Sequence, residues 1–156
     1  MITGLWHTSF TVENLDKSIP FYRDLLGLTL IHEQTQNNEY TRKLVGYPDA
    51  NLKVAMFSID GVDVGPSGHI LELVEYVSPK GLEVPEGTAH TRSAHLAFRV
   101  TDIFQTVHRL TEHGVAFKSE IVAIQEGRNK GGYTVYFKDP DGITLELVQP
   151  PSKERV

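Results

Sequence analysis

The sequence predicts an α+β fold built from paired β-α-β-β-β modules, because its 156 residues read as one unit written twice. Three observations carry this. The segments GPSGHILELV at 65–74 and DPDGITLELV at 139–148 align without a gap, placing Pro66 over Pro140, Gly68 over Gly142 and Glu72 over Glu146 at an offset of 74. Upstream, HTSFTV at 7–12 and HLAFRV at 95–100 share His, Phe and Val in the same places at an offset of 88. A helix-like stretch ending in glycine follows each of these. The modules run over 4–77 and 93–150, with a connector at 78–92. The two offsets differ by 14, which puts about that many extra residues in the second half of the first copy and the connector.

The elements follow in order. HTSFTV alternates like a strand. In ENLDKSIPFYRDLLG the residues Leu15, Ile19, Tyr22, Leu25 and Leu26 recur near helical spacing, with Asn14 as N-cap and Gly27 as the left-handed residue beyond the end. Pro20 removes a backbone donor, so the helix is expected to begin near Asp16, where that loss matters less. LTLIHE reads as the second strand, and the polar, then aromatic run EQTQNNEYTRKLVGYPDANLKV as a variable loop whose Tyr40 or Tyr47 would wall a pocket. LKVAMFSI and HILELVEY complete the first module, the latter entered through the Pro66–Gly68 turn. The connector VSPKGLEVPEGTAHTRS has two prolines and two glycines, a hinge composition. The second module repeats the plan. HLAFRV leads to a helix in TDIFQTVHRLTEHG with Ile103, Val107 and Leu110 on one face, capped by Thr101 or Asp102 and ended by Gly114. VAFKSE, YTVYF and ITLELV are its remaining strands.

Composition narrows the functions. Hydrophobic residues make up 40% and charged residues 22%, ordinary globular values, and the net charge of −5 with no Lys/Arg run argues against nucleic acid or an anionic membrane as partner. Small molecules are the expected clients. The chain has no cysteine, so a metal must be held by His, Asp, Glu or water, and no thiolate nucleophile is available. With neither a secretory leader pattern nor eighteen consecutive apolar residues, the expected location is the cytoplasm.

Strand alternation then sorts the side chains. His7 shares a face with Ser9 and Thr11, and His95 with Ala97 and Arg99, while Phe10, Val12, Leu96, Phe98 and Val100 face the helices. Glu146 lies opposite Leu145 and Leu147, and Glu72 falls on the face of Val74 and Tyr76. Each module thus presents one imidazole and one carboxylate on its non-helical face. Brought together by a pseudo-twofold pairing, His7, Glu72, His95 and Glu146 suit a divalent cation whose charge the carboxylates offset. Such ligation leaves two positions open on an octahedral nickel, cobalt, manganese or iron ion, or on a higher-coordinate zinc.

The motifs HTSFTVENLDKSIPFYRDLLGL, SAHLAFRV and YFKDPDGITLELVQP resemble the vicinal oxygen chelate superfamily, which includes glyoxalase I, methylmalonyl-CoA epimerase, extradiol dioxygenases, fosfomycin-resistance proteins and bleomycin-resistance proteins. The resemblance spans nearly the whole chain, taken as one domain over 1–156. It implies a U-shaped mixed sheet with helices on the outer face, metal ligands at His7, Glu72, His95 and Glu146, and a homodimer whose sites form within one chain or across two. Members with two His and one Glu are dioxygenases or fosfomycin-type transferases. An acidic fourth position, Glu72 here, is similar to the glyoxalase and epimerase members. The activity implied is a metal-dependent lyase or isomerase acting on a small substrate with adjacent oxygens through a metal-stabilised enediolate, with Glu72 or Glu146 moving the proton. The contrasting expectations are an Fe(II) extradiol dioxygenase and a metal-free drug-binding protein.

Two departures bear on the cosubstrate. Bacterial glyoxalase I has an arginine for the glutathione carboxylate four residues after its first metal histidine, where this chain has Thr11, and a glutathione-binding asparagine four after its first metal glutamate, where Tyr76 stands. Dependence on glutathione is therefore not expected. Arg99, four after His95, occupies the pseudo-symmetric counterpart of that arginine, and EGRNKGGY at 126–133 has the glycines and cations of a lid over an anion. Arg99, Tyr76, Arg128 and Lys130 are the expected substrate contacts.

Overall fold

In a computed structural model, which describes residues 1–62, 70–85 and 87–151, the chain divides after Val84 into two compact units. The first contains β1 (Thr8–Val12), α1 (Leu15–Pro20), β2 (Thr29–Gln36), α2 (Glu39–Val45), β3 (Asn51–Ser58) and β4 (Leu71–Ser78). The second contains β5 (His95–Arg99), α3 (Ile103–Glu112), β6 (Val122–Ala123), β7 (Tyr133–Lys138) and β8 (Thr144–Gln149). Each unit has a four-stranded mixed sheet of the same topology, β1-β4-β3-β2 and β5-β8-β7-β6, with the first strand parallel to the last and the other pairs antiparallel. The α+β class and the duplicated module are thus both present. The Pro66–Gly68 turn lies outside the described residues.

The helices start where the sequence places their caps. Asn14 Oδ1 accepts from the Asp16 N–H at 2.8 Å, and Asp102 Oδ1 accepts from the Gln105 N–H at 2.9 Å, each satisfying a donor that the first turn leaves open. α1 does not run on unbroken to Gly27. Pro20 closes it, and residues Phe21–Leu25 continue as one π-helical turn with the Leu26 N–H on the Phe21 carbonyl at 2.9 Å. Pro20 has no N–H to donate, and the wider turn follows directly after it. Gly27 and Gly114 follow at φ +81° and +83°, the left-handed geometry that stops a helix.

Two segments differ from expectation. VAFKSE forms no strand: it touches the sheet through a single Phe117–Phe137 bridge and the Lys118 N–H on the Tyr136 carbonyl, leaving the two-residue β6 as the edge. The loop expected between β2 and β3 holds α2, capped by Asn38 on the Thr41 N–H and ended by Gly46 at φ +78°. The DPDG turn is built around Asp139, whose Oδ1 accepts from the Asp141 and Ile143 N–H groups.

Within the first unit Leu15, Ile19, Tyr22, Phe57, Leu71 and Leu73 are buried where α1 lies against β3 and β4. Within the second, Ile103, Leu110, Val135, Phe137, Leu145 and Leu147 are buried, with α3 against β8. Each such side chain contributes about 1.5–3 kcal/mol of transfer free energy. A polar tie recurs in both units. The first N–H of α1, on Leu15, donates to Glu75 Oε2 at 2.9 Å, and the first N–H of α3, on Ile103, donates to Gln149 Oε1 at 2.8 Å. Glu75 and Gln149 occupy the same place in the repeat, on the last strand and on its helical face.

Candidate functional site

Parallel pairing of first and last strands puts a histidine beside a glutamate in each unit. Ser9 is paired with Glu72 and Ala97 with Glu146, so each histidine stands two residues before the partner of its glutamate, on the same face. His7 Nε2 lies 3.5 Å from Glu72 Oε2, and His95 Nε2 lies 3.2 Å from Glu146 Oε2. All four side chains reach solvent: exposure is 34% and 20% in the first pair and 44% and 14% in the second, leaving the glutamates the better covered.

The second pair has more neighbours than sequence reasoning assigned it. Thr134 Oγ1 donates to Glu146 Oε1 at 2.5 Å and also lies 3.0 Å from the Leu147 carbonyl oxygen. The Tyr136 ring stands edge-on to His95, with centroids 5.3 Å apart. Burial, helped by the Glu146 charge, raises the Tyr136 phenol above its usual range. The signal was in YTVYF: Val135 and Phe137 are buried on the helical side, so alternation turns Thr134 and Tyr136 towards Glu146.

The remaining candidates are distributed. Tyr76, on β4 and on the face of Glu72, packs edge-on against Tyr47 with centroids 6.1 Å apart. Burial foremost, then Tyr47 and Glu72, raises its phenol pKa. Tyr40 is two-thirds exposed. Arg99 is exposed at the end of β5, paired with Val148. Arg128 and Lys130 are exposed in the turn between β6 and β7, where the Lys130 N–H bonds the Gly127 carbonyl.

Two donors each about 2.1 Å from a common ion and 90–110° apart stand roughly 3.0–3.4 Å from one another. The 3.2 Å spacing of the second pair falls within this range and the 3.5 Å spacing of the first lies just above it, and imidazole with carboxylate is the nitrogen–oxygen donor set such an ion takes. The residues therefore fit a metal as two-donor halves. Among the described residues no cluster of three or more such side chains occurs. No helix among them is long and apolar enough to cross a membrane.

Comparison with known proteins places these observations in a family. Residues 4–147 match the model of the Glyoxalase/Bleomycin resistance protein/Dioxygenase superfamily. A "2-epi-5-epi-valiolone epimerase" of Actinomyces sp is 29% identical over 94% of this chain and 79% of its own length. A Vibrio parahaemolyticus protein named "Probable lactoylglutathione lyase" is 34% identical over 92% and 88%. In structure, a glyoxalase family protein from Bacillus cereus superposes with a TM-score of 0.77 at 24% identity, covering 97% of both chains, a likeness of fold.

Proposed function

Because the chain belongs to the Glyoxalase/Bleomycin resistance protein/Dioxygenase superfamily, we propose that it is a divalent-metal-dependent lyase or isomerase of the glyoxalase type, acting on a small compound with adjacent oxygens. The observation that carries this reading is the repeated His–Glu pair, one in each module, with matching register and donor spacing. In this reading His7, Glu72, His95 and Glu146 together hold the ion, contributed by one chain or by two copies in a homodimer. Three of these are what an extradiol dioxygenase would use, and the acidic fourth, Glu72, favours redox-neutral chemistry. A divalent ion held there would polarise a substrate carbonyl and stabilise negative charge on its oxygen.

The chain's own residues supply the rest. A carboxylate, Glu72 or Glu146, takes the proton from the carbon next to the carbonyl and returns it to the product. Arg99, with Arg128 and Lys130 on the β6–β7 turn, attracts and orients an anionic group of the substrate. Tyr76, neutral and packed on Tyr47, gives an apolar wall where a glutathione-binding member would offer an amide. With Thr11 in place of the other glutathione contact, the substrate is free of glutathione in this reading.

The test is metal content of the purified chain, native and as Glu72→Gln, followed by assay with the methylglyoxal–glutathione hemithioacetal. We expect about one divalent ion per site, lost by 10–100-fold in affinity in the variant, by analogy with lost support of a ligand set, and feeble hemithioacetal turnover. Bound iron that survives Glu72→Gln, with oxygen uptake on a catechol, would establish a dioxygenase instead. A chain that takes up no metal would leave a binding protein.

A further inference from the structure

We propose that Thr134 is a positioning residue that fixes Glu146, making the two half-sites unequal. The inference rests on the metal-holding role of the four residues proposed above and divides labour within it.

Both Glu146 oxygens are accounted for. Oε1 receives the Thr134 hydroxyl at 2.5 Å, and Oε2 faces His95 Nε2 at 3.2 Å. The hydroxyl has one proton and two acceptors within reach, Glu146 at 2.5 Å and the Leu147 carbonyl at 3.0 Å. An ionised carboxylate accepts only, and a charged acceptor outcompetes a neutral one, so the proton serves Glu146. Thr134 itself is held on β7, paired with Val148, and its β-branched side chain has few rotamers. The carboxylate plane is thereby set, with Oε2 turned to the imidazole.

The first unit lacks this arrangement at the same positions. In the second unit Tyr136 pairs with Glu146 and Thr134 with Val148; in the first, Met56 pairs with Glu72 and Val54 with Val74. Cross-strand partners share a face, so the places of Thr134 and Tyr136 around Glu146 are taken around Glu72 by Val54 and Met56. Neither can donate a hydrogen bond. Among the described residues Glu72 has His7, at 3.5 Å, as its ion-pair partner, with no hydroxyl on its Oε1. Glu146 is therefore held by a hydroxyl for which the first unit has no counterpart at the matching strand positions.

The test is release of bound cobalt(II) to a chromogenic chelator from the full chain and from Thr134→Val, Thr134→Ser, Glu72→Gln and Glu146→Gln. Removing the hydroxyl in Thr134→Val should speed release by about 10–100-fold, the range for lost supports of metal ligands. Thr134→Ser, which keeps the donor, should release close to the native rate, a rescue that a packing role alone would not produce. Glu146→Gln should weaken retention more than Glu72→Gln. Native release from Thr134→Val, equal release from Thr134→Val and Thr134→Ser, or the reverse order of the two glutamates would overturn the assignment while leaving the metal-dependent reading intact. A native chain that retains no cobalt would refute both.

Discussion

Glu75 presents a charge on the buried, helical face of β4, and its replacement separates two roles that a carboxylate can have there. It is 7% exposed, accepts the Leu15 N–H at 2.9 Å, and lies 3.7 and 3.9 Å from the amines of Lys53 and Lys80. Those lysine side chains are 42% and 60% exposed, so solvent screens both pairs and each is worth at most about 1 kcal/mol. The N–H, by contrast, is a helix donor with no partner in its own helix, and orphaning such a group when buried costs about 1–3 kcal/mol. Glu75→Ala should therefore destabilise the chain by about 2 kcal/mol, lowering the melting temperature by about 4–8 °C at the 2–4 °C per kcal/mol expected for this size. Glu75→Gln, which installs the residue that the second unit uses at Gln149, should cost less than about 1 kcal/mol because an amide oxygen accepts the same bond. Urea and thermal unfolding of the three proteins measure this. If Glu75→Gln falls as far as Glu75→Ala, charge and not the hydrogen bond is what matters at this site.

Two further outcomes are expected. Gly132→Ala would drive a Cβ into the Gln149 carbonyl oxygen and place it 3.1 Å from that of Asn129, both backbone atoms, so it should destabilise by about 1–3 kcal/mol in urea unfolding; an unchanged midpoint would show that this close approach is not needed. Without added metal, the raised Tyr76 phenol favours the folded state fully below its unfolded value of about 10 and loses that contribution as pH rises through the higher folded value. Tyr76→Phe should therefore flatten the fall of stability above about pH 10 and remove a late step from the phenolate absorbance titration; a lost step below pH 10 would contradict the raised value.

The features legible in the sequence were those with a repeat or a local rule behind them. Glu72 and Glu146 could be matched because a turn and a strand recur at one offset, and Asn14, Asp102, Gly27 and Gly114 because capping depends on neighbours a few residues away. VAFKSE misled because its alternation suits a strand, yet whether a segment pairs depends on an edge supplied elsewhere, and β7 meets it at Phe117 and Lys118 only. α2 was hidden by its polarity: Thr41 is its buried residue, although Asn38, the Glu39–Lys43 pair and Gly46 carried a start, a middle and a stop. Glu75 and Thr134 carry no local signal, for another reason. Alternation places each on its face, but their importance depends on the atom across from them, the Leu15 N–H and Glu146 Oε1, which only the folded chain brings within reach.

Joining first strand to last has a consequence for the order of folding. Thr8 pairs with Leu71 and His95 with Thr144, separations of 63 and 49 residues, so these ladders close the longest loops in their units and carry the largest entropic cost of closure. During synthesis His7 emerges long before Glu72 and has to wait for the whole unit, whereas helices and hairpins can form as they appear. Each His–Glu pair thus stands beside the ladder that closes the longest loop of its unit, and an ion bound there would add its binding free energy to the pairing with the largest entropic cost of closure.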